Sequence, residues 1–94
     1  MIIGACTLRL HLPGCMSLKS KRSRLKPLLA RLHREFNVAA AEVGLQDVWQ
    51  SADIAVVAVA NETVTVEAHL DQIVKWIERT WPEIEVMETQ FELR

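Results

Sequence analysis

The apolar residues change period along the chain, from two to about 3.6 and back, in the order strand, helix, strand, strand, helix, strand. Ile2 to Leu12 alternates, with Cys6, Leu8, Leu10 and Leu12 on one side and Thr7, Arg9 and His11 on the other, the pattern of a strand with one buried face. Pro13-Gly14 stops it. Ser17 is placed to cap a first helix whose Leu18, Leu25, Leu29, Leu32 and Phe36 form an inward stripe, with Leu28 at its margin. Pro27 falls inside that helix, removes the bond to the Ser23 carbonyl, and predicts a kink or a late start. Val38 to Val43 is a second strand ending at Gly44, Leu45 to Ser51 a connection, and Ile54 to Ala60 a third strand that is apolar on both faces. Asn61 or Thr63 is expected to cap a second helix with Val66, Leu70, Ile73 and Ile77 inward, ended by Pro82. In Ile84 to Leu93 the parity slips from Ile84/Val86 to Met87/Thr89/Phe91/Leu93, which predicts a bulge near Val86.

The order βαββαβ is the ferredoxin-like α+β arrangement. Right-handed crossovers then give a four-stranded antiparallel sheet in the order 4-1-3-2, with two helices on one face. With 94 residues, half of them apolar, and no repeats or linkers, residues 1–94 are expected to form a single domain. The sheet face away from the helices would carry Ile3, Ala5, Thr7, Ala55, Val57 and Val59. So apolar a face suits a homodimer or another partner, or else is tolerated as scattered small residues.

Charge is divided unevenly. Residues 1–36 hold eight basic side chains against Glu35 alone, whereas residues 37–94 hold eleven acids against Lys75, Arg79 and Arg94. Most of the positive charge lies on the first helix. Its Lys19, Lys21, Arg22, Lys26, Arg31 and Arg34 are candidates for binding an anion or a nucleic acid, a face suited to a phosphate backbone and little sequence selectivity. The alternative is neutralisation by Glu67, Asp71 and Glu78 of the second helix, or simple solvation. The topology also gathers Ser17, Lys21, Arg22, Glu42, Asp47, Trp49 and Trp81 at one edge of the sheet. There a helix N-terminus could hold a phosphate. Equally, Lys21 or Arg22 could pair internally with Glu42 or Asp47, with Trp49 and Trp81 as anchors.

Other chemistries find little support. His11, His33 and His69 fall on different elements without metal-ligand spacing, no Gly-rich phosphate loop occurs, and no nucleophile–base pair can be assigned, so neither metal, cofactor nor catalysis is expected. Acylphosphatases share the topology but not this chain's loop, which lacks their glycine-rich signature. RNA-recognition folds stack bases on aromatics of their central strands, and strands 1 and 3 here carry none. Leu12-Pro13-Gly14-Cys15 imitates a lipoprotein cleavage site, but nothing basic precedes the apolar run and Arg9 and His11 break it. No stretch reaches the ~20 apolar residues of a membrane span. Cys6 and Cys15 are too far apart along an extended segment to bridge, and are expected as free thiols in a reducing, cytoplasmic setting, with Cys6 buried.

Met1-Ile2-Ile3-Gly4, Leu10-His11-Leu12-Pro13-Gly14, Ser17-Leu18-Lys19 with Lys21-Arg22, Phe36-Asn37-Val38, Ala41-Glu42-Val43, Asp47-x-Trp49-Gln50 and Asn61 together resemble the YlxP-like family, a bacterial family of unknown function, over nearly the whole chain. The resemblance implies a ferredoxin-like fold, a cytoplasmic location and dimers. Genes of that family commonly lie among those for transcription termination, translation initiation and ribosome maturation factors, which implies a role near RNA or the ribosome. It supplies no catalytic residues. The chain departs from the family pattern at Cys15-Met16 and at Pro27. The leading expectation is a non-catalytic RNA- or ribosome-associated module using the first helix. The alternatives are a dimeric module docking an acidic protein, or a small-anion binder at the helix N-terminus.

Overall fold

The computed structural model describes residues 1–94. The elements are β1 (Ile2–His11), α1 (Leu18–Glu35), β2 (Ala39–Gly44), β3 (Ser51–Ala60), α2 (Thr63–Thr80) and β4 (Glu85–Leu93). The sheet order is β2-β3-β1-β4, every neighbouring pair antiparallel, which is the ferredoxin-like arrangement. Both helices cover one face. Cys6, Leu8 and Leu10 of β1 and Ala52, Ile54, Val56 and Ala58 of β3 point into that layer. There they meet Leu25, Leu28 and Leu32 of α1 and Val66, Leu70, Ile73 and Ile77 of α2 in one continuous core.

Several local expectations are corrected. Leu28, not Leu29, lies at the centre of the α1 stripe, because the buried row is Lys21, Leu25, Leu28 and Leu32, a heptad-like spacing. Pro27 neither delays α1 nor ends it. Proline and Ser23 both lie on the exposed side, where an unbonded carbonyl can be hydrated. Ser17 caps the helix, its Oγ accepting from the Ser20 amide at 3.0 Å. The α2 cap is Glu62, between the two expected residues, and it makes no side-chain cap bond. β3 starts at Ser51, three residues early, because Ser51 and Asp53 continue the ladder to His11 and Arg9.

The bulge falls beside its expected position. Arg9 pairs with Glu88 and Leu10 with Val86, so Met87 is the extra residue and is exposed rather than inward. A second, unforeseen irregularity skips Val43 between Glu42 and Gly44. Gly14 takes φ 74 in the turn after β1, a conformation glycine adopts without a Cβ clash. Cys6 and Cys15 are free and buried, and burial pushes the Cys6 thiol up.

On the open face, Arg9 of β1 and Asp53 of β3 are direct cross-strand partners joined by two hydrogen bonds of 2.9 Å. The hydrogen bond and then the charge of the guanidinium hold the Asp53 carboxyl below the usual carboxylate range, opposed by some desolvation. A carboxyl depressed in the folded state contributes stability above its unfolded pKa, and that contribution fades as pH falls through the folded value. The stability lead of the wild type over Asp53→Asn in urea titrations is therefore expected to hold from neutral pH to about pH 5, then to shrink below about pH 4. A lead that stays constant into strong acid would remove the pair as its source.

Candidate nucleic-acid interface

The structure sorts the basic residues of α1 into three groups. Lys21 is in the core, 1% exposed, with its Nζ 2.6 Å from the Leu45 carbonyl oxygen and 2.8 Å from Glu42 Oε2. The carbonyl receives a hydrogen bond. The carboxylate contact is ionic but out of line for one, and Glu42 Oε2 is sealed from solvent without another donor. Leu45 itself sits at φ 57, an uncommon conformation for a branched side chain, so the ammonium ties down a strained residue. Lys21 thus leaves the set of candidate anion-binding residues: helical spacing puts it in line with Leu25, not on the flank.

Arg24 and Arg31 are engaged. Arg24 donates to the carbonyls of Pro13, at 2.9 Å, and Glu83, at 3.5 Å, joining the turns before α1 and before β4. Arg31 pairs with Glu35 at 2.8 Å and lies 5.2 and 5.3 Å from the ring centroids of Trp76 and Trp81, within cation–π range. Those rings meet edge to face at 5.4 Å, and Phe36 meets Trp76 at 5.1 Å. Trp81 is therefore an anchor and Arg31 its lid, which takes Arg31 off the outward surface.

Lys19, Arg22, Lys26 and Arg34 remain. All four are exposed and none takes part in an ion pair. At 100° per residue they share an arc of roughly 120° with Ser23, Ala30 and His33, and the row runs about 22 Å along the helix. No carboxylate lies on this arc. The acidic residues of α2 do not neutralise it either: Asp71 pairs with Lys75 of its own helix. His33 Nε2 accepts from the Ala40 amide at 3.2 Å, fixing the end of α1 to the outer edge of β2, a role its sequence position did not signal.

The expected edge cluster divides. Ser17 serves its own helix and Glu42 serves Lys21. Asp47 is exposed in the β2–β3 connection without a salt bridge, and Trp49 is 48% exposed rather than an anchor. The family model described as "Protein of unknown function (DUF503)" matches residues 3–91. The chain belongs to the DUF503 family. A relative from Bacillus subtilis (strain 168), "Uncharacterized protein YlxP", is 41% identical over 69 residues, covering 73% of this chain and 74% of its own length.

In this DUF503 chain the arrangement favours an extended anion over a compact one. A single phosphate at the α1 N-terminus would find Lys21 committed to Glu42 and Leu45, and the Ser17 hydroxyl bonded to the Ser20 amide. A row of separated cations on a rigid rod instead matches charges repeated along a chain. No helix is long and apolar enough to cross a membrane.

Proposed function

We propose that this DUF503 protein is a non-catalytic module that binds the phosphate backbone of RNA, ribosomal RNA included, through the outward face of α1. The observation that carries the reading is the row Lys19, Arg22, Lys26 and Arg34, four exposed cations on one helix face with no carboxylate partner. Unrelieved like charge at helical spacing costs the folded protein stability, so the row is best understood as serving a polyanion. The open sheet face has no aromatic side chain on β1 or β3 to stack a base. Affinity on this reading comes from charge and counterion release, with little base selectivity. The two free, buried thiols suit a reducing compartment such as the cytoplasm.

Filter binding of ribosomal RNA fragments tests the reading. Four phosphate contacts to a single strand give an expected loss of affinity of about 50-fold between roughly 50 and 200 mM salt. Joint replacement Lys19→Glu, Lys26→Glu and Arg34→Glu should abolish binding while leaving the fold intact. Affinity that ignores salt, or survives the triple reversal, would sink the proposal. Co-purification with an acidic protein that persists after nuclease treatment would transfer this face to a protein partner.

A further inference from the structure

The helices cover one face of the sheet and leave the other bare. Its two central strands present Ile3 and Ala5 on β1 and Ala55, Val57 and Val59 on β3, Val59 being 60% exposed. The flanking β2 adds only the small Ala39 and Ala41, while β4 adds the long polar Glu88, Gln90 and Glu92. The edges of the sheet are poor routes to self-association. β4 is acidic and bulged at Met87, and on β2 the Ala40 amide is taken by His33 and the strand is broken at Val43. The face is the remaining surface, and its charge is arranged for one occupant in particular.

We propose that the uncovered sheet face is a two-fold interface with a second copy of this chain, registered by the Arg9–Asp53 pair. Arg9 and Asp53 stand level with each other on the two central strands. A two-fold axis running along the strands, between β1 and β3, exchanges these strands and keeps every residue at its height. Each Arg9 then lies over the second copy's Asp53, and each Asp53 over its Arg9. The guanidinium uses Nε and Nη2 on its own carboxylate and has further N–H groups to offer. Each carboxylate oxygen likewise has lone pairs left. Four alternating charges close a ring that no uncharged or single-signed partner could match.

The remaining levels agree with the same axis. Ile3 lies over the second copy's Val59, Ala5 over its Val57 and Thr7 over its Ala55. The small residues of β2 face the long side chains of β4, whose carboxylates stay at the rim. Two central strands of ten residues, a β4 of nine and a β2 of six, at their usual spacing, offer a face of roughly 550 Å². Allowing for side-chain relief, that reaches the lower end of the range around the ~800 Å² per partner of a standard stable interface. Sheets packed face to face with nearly aligned strands are an ordinary arrangement. The α1 row remains on the outside of such a dimer, so the two surfaces operate separately.

Sedimentation of the full chain, with circular dichroism as the check on folding, tests the proposal. The wild type should sediment as a dimer, and Val57→Lys should weaken dimerisation by at least about a hundredfold while keeping its spectrum. Arg9→Asp and Asp53→Arg should each be monomeric alone, since each places like charges across the axis. Their equimolar mixture should form a heterodimer, because every contact across the axis becomes cation against carboxylate. A wild type that is monomeric at high concentration, or that is monomeric and binds lipid vesicles instead, overturns the proposal. So does a dimer indifferent to Val57→Lys, or a mixture of the two charge variants that stays monomeric.

Discussion

Lys21→Ala is expected to destabilise the protein by about 3–5 kcal/mol in urea unfolding, the cost of removing one member of a buried ion pair. For a domain of this size that corresponds to a fall of at least about 12 °C in Tm. The cost arises from what is left behind. Glu42 Oε2 is sealed from solvent and has only the ammonium beside it, while the Leu45 carbonyl loses a 2.6 Å hydrogen bond. Leu45 is held at positive φ by the same contact, so the β2–β3 connection should loosen as well. The paired replacement Lys21→Met with Glu42→Leu removes both charges at similar volume and should recover most of the loss. It should also bind RNA as the wild type does, because neither residue lies on the outward face of α1. Were Lys21→Ala as stable as the wild type, the ammonium would not be contributing to the fold. Were the paired variant as damaged as the single one, packing and not charge would be responsible.

This residue also shows where reading a sequence by chemical class stops working. β1 was legible because one face is dry and the other wet, so burial imprinted its period of two on Cys6, Leu8, Leu10 and Leu12. The slip in β4 was legible to within one residue of the bulge at Met87 from its alternating apolar residues alone, although the strand is exposed over most of its length. Lys21 follows the helical period as faithfully as Leu25, Leu28 and Leu32 do, but a lysine at a core position reads as a break in the stripe. The partner that makes it tolerable, Glu42, lies in another element, and no local pattern joins the two. Val43 was missed because Ala39 to Ala41 is too uniform for a change of register to show. The basic face of α1 was visible as a sum of charge, but only contacts between elements divide that sum. Lys21 is committed by Glu42 and the Leu45 carbonyl and Arg31 by two tryptophans of the α2 region, leaving four cations where six were candidates.

Gly4→Ala is expected to cost about 2–3 kcal/mol, although the same exchange in an unconstrained strand is usually favourable. Gly4 is an inward position of β1, and α2 crosses it so closely that a Cβ there would collide with Val66 Cγ1 and press on Leu70 Cδ1 at 3.1 Å. Both of those side chains are buried, so neither has an open rotamer into which to retreat. The glycine therefore sets how near the start of α2 lies to the sheet. A double-mutant cycle separates this from a change in backbone entropy. In a Val66→Ala background the collision partner is gone and a cavity has opened, so Gly4→Ala should become neutral or slightly stabilising by filling it. An equal cost in both backgrounds would mean that close approach of α2 is not the reason glycine stands at this position.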